Sequence, residues 1–98
     1  MPNLTENEIK ALKMCLNYNN RASQLSDNYS NAGAEDFALM LFKGNMQAAG
    51  GLITSLTAKG MGDMDDDGAD SVDIFWLSEY GVNTIFDILE AEAELENF

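Results

Sequence analysis

Apolar positions recur at helical spacing in four stretches of the chain and alternate in a fifth. Thr5-Glu6-Asn7-Glu8 has the spacing of a capping box, in which the Thr5 hydroxyl meets the Glu8 amide and Glu8 reaches back to the Thr5 amide. A first helix is predicted behind it, with Ile9, Leu12, Cys15 and Leu16 as its apolar stripe. Asn17-Tyr18-Asn19-Asn20 weakens that helix, because asparagine competes for backbone hydrogen bonds. Residues 23–33 are rich in Ser, Asn, Asp and Gly and read as a long loop, with at most one short turn around Leu25. A second helix is predicted from about Ala34 to Lys43, on a face of Phe37, Met40 and Leu41. Gly44 suits the left-handed residue that ends it, and Asn45 can cap the next.

The third helix covers about Met46 to Lys59, with Met46, Ala49, Gly50, Ile53 and Leu56 in register and Gly60 closing it. Gly50-Gly51 costs this helix about 1 kcal/mol per glycine relative to alanine. Such a pair suits a close approach to the backbone, and tight packing against a neighbouring helix is the plainest form of one. After an acidic, glycine-rich loop over 60–70, residues 71–77 alternate. Val72, Ile74 and Trp76 fall on one face and Asp73, Phe75 and Leu77 on the other, the pattern of a strand, for which Met61-Gly62 can supply a short partner. Ser78 caps a last helix with Val82, Ile85, Phe86 and Leu89 as its core stripe and Ile88 and Leu95 on a second face. The expected core is Ile9, Leu12, Leu16, Phe37, Met40, Leu41, Ile53, Leu56, Trp76, Val82, Ile85, Phe86 and Leu89.

Length and composition narrow the function. The 98 residues suit one domain, and 46% apolar content is too high for a disordered acidic tail. The chain has no His, which removes His-dependent triads and His-ligated zinc or haem. Its single Cys removes an intrachain disulfide and any multi-cysteine metal site, and Cys15 reads as a reduced, partly buried hydrophobe. No base, nucleophile pair or phosphate loop accompanies the acids, so no enzyme is expected. Nothing approaches a membrane span and the N-terminus lacks a signal-peptide pattern, so a cytoplasmic protein is expected.

Charge is divided along the chain. Residues 1–59 hold five acids and five bases, whereas residues 60–98 hold twelve acids and no base, so the whole net charge of −12 lies in the second part. This is either a solvated face or a surface for something basic, one that stands in for a phosphate backbone. The acids expected to meet such a partner are Asp63, Asp65, Asp66, Asp67, Asp70, Asp73, Glu90 and Glu94.

The order helix, loop, helix, short turn, helix, acidic hairpin, strand, helix is that of a helix-turn-helix with a wing. The fold expected is a single mainly α domain with a small β-hairpin, its acidic wing at about 61–77 and its C-terminal helix at about 79–96. At three stretches the chain resembles the winged-helix domain of MarR-type regulators. Leu4 to Leu12 is similar to the start of that family's helix before the helix-turn-helix, Leu52 to Met61 to the end of its recognition helix, and Ile74 to Gly81 to the second wing strand running into the next helix. The resemblance implies a regulator that binds DNA as a dimer through helix 45–59, with Asn45, Gln47, Thr54, Ser55 and Lys59 (and Thr57) as the residues able to reach bases or phosphates. The wing departs from the family, since Asp63-Met64-Asp65-Asp66-Asp67-Gly68-Ala69-Asp70 carries no basic residue, and carboxylates repel phosphates.

Asp63-x-Asp65-x-Asp67-Gly68 also matches the first half of an EF-hand loop, in which alternate carboxylates and a glycine turn surround one cation. The second half fails, because Asp70 stands where an aliphatic residue is usual and Ile74 where a bidentate Glu is needed. No cofactor is therefore expected, with weak calcium binding at Asp63, Asp65 and Asp67 as the open alternative. The functional expectation is a non-enzymatic acidic winged-helix protein that binds a basic, nucleic-acid-handling protein, in the manner of phage inhibitors that imitate DNA. The MarR-like regulator is the alternative. A homodimer is expected from Ile88, Leu95 and Phe98 beside the last helix's core stripe.

Overall fold

The capping box closes as its spacing requires: Glu8 N donates to Thr5 Oγ1 at 3.2 Å and Thr5 N to Glu8 Oε1 at 2.8 Å, opening α1 (Glu6–Met14). The computed structural model describes residues 3–27, 31–66 and 72–96. Along these run α1, α2 (Arg21–Ser26), β1 (Asn31–Gly33), α3 (Ala34–Leu41), α4 (Met46–Ala58), β2 (Gly62–Asp66), β3 (Val72–Leu77) and α5 (Glu79–Glu96). The strands form one antiparallel sheet in the order β1-β3-β2.

The segment expected to be a loop at 23–33, with at most one short turn around Leu25, holds the last four residues of α2, Leu25 among them, and β1. Its polar residues build local structure. Asn20 Oδ1 accepts from Ser23 N at 2.8 Å and opens α2. Gln24 is buried, and its Oε1 accepts from Asn17 N and Tyr18 N at 2.9 and 3.2 Å, fastening the asparagine-rich linker to the helix. β1 is three small residues, too short for alternation to show, and Ala32 sits opposite Phe75.

The inward face of α3 is Ala34, Phe37, Ala38 and half-buried Leu41. Met40 was expected in the core and is 71% exposed. Its place is taken by Ala38, one turn before Phe42, because a close helix contact favours a small side chain over a long one. α4 buries Ala49, Leu52, Ile53 and Leu56. Gly50 and Gly51 do not serve tight packing: a Cβ added at either would meet no heavy atom within 4 Å.

Among the described side chains of β3 the buried one is Phe75, whose ring lies 6.4 Å from that of Phe37, and Leu77 packs on the same core. Trp76, expected in the core, is only half-buried and Ile74 is exposed, so the inward face is the opposite of the one expected. Both faces carry large apolar side chains, so alternation marks the strand but not its orientation. α3 and α4 cover the Phe75 side.

Ile9, Leu16 and Leu89 lie half-buried at the margin of the core. Val82, Ile85 and Phe86 anchor α5 as expected, and Ile88 also packs against the core rather than on a separate face. From Glu90 to Leu95 every side chain is exposed, Leu95 by 74%. Phe98 lies outside the described residues.

Between α3 and α4 the chain turns through Lys43 (φ +54°) and Gly44 (φ +89°), both left-handed, before Asn45 caps α4 by accepting from Ala48 N at 3.1 Å. A non-glycine residue in that region stores backbone strain.

Candidate partner-binding surface

The acids proposed as a surface fall into three groups. Asp63, Asp65 and Asp66 lie on β2, the edge of the sheet, and Asp73 on β3. Asp63 is exposed and its Oδ1 accepts from Met64 N at 2.9 Å. Asp65 sits opposite Ile74 and Asp66 opposite Val72, with a register shift between the two. Asp67 and Asp70 lie outside the described residues. Glu90 and Glu94 are exposed on the far turns of α5.

The bases decide how much of this charge is free. Lys10 pairs with Glu6 at 3.4 Å within α1. Lys13 reaches Glu92 at 3.1 Å, and Arg21 reaches Asp87 at 2.8 Å and Glu90 at 3.0 Å. The neutral first part of the chain is therefore not a separate neutral body, since it places two of its cations on α5. Arg21 also lies over the Phe86 ring, 5.9 Å from its centroid, which pins α2 to α5. Asp87 and Glu92 are ion-pair partners that sequence reasoning did not single out, and no local pattern marks partners 66 and 79 residues away.

The residues expected to contact DNA are mostly engaged elsewhere. Asn45 is the α4 cap. Thr54 is exposed and donates to Gly50 O at 2.9 Å. Gln47 is exposed. Ser55 Oγ donates to Glu8 Oε2 at 2.8 Å, and Lys59 Nζ donates to Glu8 Oε1 at 2.7 Å and Asn3 O at 2.8 Å. The cation at the C-cap of α4 is thus held against α1. Among the described residues Lys43, at the exposed turn, is the one base without an ion pair.

Glu8 is 2% exposed and accepts from three residues, Thr5 at the start of α1 and Ser55 and Lys59 at the end of α4. Burial alone would raise its carboxyl pKa. The hydrogen bonds from Lys59, the Thr5 backbone, Ser55 and the Thr5 hydroxyl outweigh that and hold it below 4.5. A depressed native pKa adds stability that is fully present above the unfolded value near 4.5 and is lost as pH falls through the native one. Glu8→Gln keeps the capping-box geometry but removes the charge from Lys59, and is expected to cost about 1.5–3 kcal/mol at neutral pH. The loss should shrink toward pH 3, as read by urea unfolding at both pH values; an equal loss at both would assign Glu8 a purely steric role.

Two clefts open on the described residues. One of about 320 Å³ lies between Gln24, Asp27, Leu77 and Glu79, and one of about 340 Å³ between Asn20, Arg21, Phe86 and Leu89. Cys15 is buried, and burial pushes its thiol up to about 12, so it holds no thiolate. No group of three or more His, Cys, Asp or Glu is arranged to hold a metal among the described residues, which exclude Asp67 of the EF-hand-like stretch. No helix among the described residues is long and apolar enough to cross a membrane. Comparison of the chain with known family models, curated proteins and solved structures finds no match.

Proposed function

We propose that the chain is a non-enzymatic, acidic winged-helix module that binds a basic protein surface, of the kind carried by proteins that handle nucleic acid. The observation that carries this reading is the fate of Lys59: this cation at the C-cap of α4, which itself carries no Lys or Arg, is paired with Glu8, while the neighbouring β2 edge presents Asp63 to solvent. A helix that reads DNA needs free cations to displace counterions, and this one has none. Facing Lys and Arg, the same acids would attract instead of repel.

The winged-helix part of the reading is supported by the element order. α3 and α4 are joined by four residues including Gly44, β2 and β3 follow as an antiparallel pair, and β1 adds to the far side of β3. This order also suits the MarR-like alternative, a regulator that binds DNA as a dimer through α4, with Gln47 and Thr54 on the exposed face. In the favoured reading the protein works as an inhibitor that takes the place of DNA on its partner. It acts in the cytoplasm, where a lone free thiol stays reduced.

Two measurements separate the readings. Affinity capture from a host lysate is expected to enrich partners of high isoelectric point that elute with salt. A gel shift in physiological salt is expected to show no complex with duplex DNA; a defined duplex bound at nanomolar protein would replace this reading with the regulator. The proposed homodimer would pair the far turns of α5, where Leu95 is unsupported. Its sedimentation mass is expected to be that of two chains at ordinary salt and to fall at low salt, because both faces carry Glu90 and Glu94. A mass of one chain at high concentration would remove the dimer.

A further inference from the structure

The exposed faces of α3 and α4 combine three features that the acidic surface does not use. Leu39, Met40 and Met46 are 65%, 71% and 48% exposed, two on α3 and one at the start of α4, on either side of the short turn that joins the helices. Exposed large apolar side chains that lie together mark contact sites, and methionine adapts its shape to what covers it. About one turn beyond Met46 on α4, Gly50 and Gly51 leave open space where any other residue would set a side chain. Glu35 and Asp36 are exposed and lie one helical turn before Leu39 and Met40, and neither has an ion pair among the described residues.

We infer that this α3–α4 face is a docking site for one amphipathic helix of a partner protein, seated by aliphatic anchors on Leu39, Met40 and Met46 and by Lys or Arg on Glu35 and Asp36. The inference rests on the reading of a basic protein partner and names the part of that partner and its seat. Charge selects this occupant. Nucleic acid would meet carboxylates and a single unpaired Lys43. A second copy of the chain would set Glu35 and Asp36 against the same residues. A basic helix satisfies both the apolar patch and its acidic edge. The two glycines, which cost α4 helical stability, allow the backbone of that helix to come close.

The probe is a synthetic peptide of about 18 residues, long enough to form a helix, with Leu on one face and Lys on the other. A control peptide carries the same Lys residues with Ser in place of Leu. The Leu/Lys peptide is expected to bind at least about tenfold more tightly than the control, a difference of about 1.4 kcal/mol. Its amide shift changes should centre on Leu39, Met40, Met46 and Gly51. Met40→Glu and Leu39→Glu add negative charge at exposed positions, so a purely electrostatic contact would tighten. The docking site predicts that they weaken binding about tenfold instead. Gly51→Leu is expected to raise the melting temperature by about 4–8 °C through helix propensity and yet to weaken the peptide. Tighter or unchanged binding by the Glu variants overturns the docking site, as do shift changes confined to β2 and α5. If the two peptides bind alike on the acidic surface, the docking site falls and the basic-partner reading stands. If neither binds at low salt, both fall.

Discussion

Gly81→Ala is expected to cost about 4 kcal/mol or more of stability. A Cβ at position 81 would fall inside the van der Waals envelope of the Met61 carbonyl, touching its oxygen, carbon and Cα. These are backbone atoms and cannot rotate aside. Met61 is itself fixed on both sides: its N–H donates to Leu56 O at 3.0 Å and its carbonyl accepts from Ser78 N at 3.0 Å. The same glycine donates its amide to Ser78 Oγ at 3.0 Å, the cap of α5. Overpacking costs up to about 3 kcal/mol when side chains can adjust, and here the backbone must move. Losing the cap adds about 1 kcal/mol. Together these approach the lower end of the 5–15 kcal/mol expected for a whole domain. Gly50→Ala is the matched comparison: the same methyl group enters open space and should stabilise by up to about 1 kcal/mol. Far-ultraviolet circular dichroism in a urea series reads both. A Gly81→Ala midpoint within the range of the parent would show that α5 can shift away from Met61.

Position 81 also shows what a sequence can convey. Its glycine looks like a weak helix start, and only the approach of Met61 gives it a reason. Elements with a local code were legible: the Thr5–Glu8 box, the Asn45 cap, the left-handed Gly44 and the Ser78 start of α5 all stand where their neighbours imply. β1 was hidden because three small residues gain their conformation from pairing with β3, not from any preference of their own. α3 was found with Phe37 and Leu41 inward as expected, but Ala34 and Ala38 complete its buried face in place of Met40, since alanine was given no weight against methionine. The acidic surface was legible as composition. Its free part was not, because Lys13, Arg21 and Lys59 choose partners 51 or more residues distant, and only the fold brings them together.

Replacing Asp63, Asp65, Asp66, Asp67 and Asp70 together by Asn is expected to slow association with the captured partner about 10- to 100-fold at low salt. Carboxylates near a contact raise the local concentration of a basic surface and steer it before any close contact forms. Removing them acts on the encounter, so the dissociation rate should change far less. The variant should also lose most of its salt dependence. In the parent, the Debye length falls from about 30 Å at 0.01 M salt to about 8 Å at 0.15 M, and the on-rate should fall with it. Asp87→Asn is the control. That carboxylate already pairs with Arg21 at 2.8 Å, so its loss loosens α2 from α5 and leaves the free field of the β2 edge in place. Stopped-flow mixing at several salt concentrations separates the two. Should the five-residue variant associate at the parent's rate and dissociate faster, these acids would be making short contacts inside the complex, and steering would not be their role.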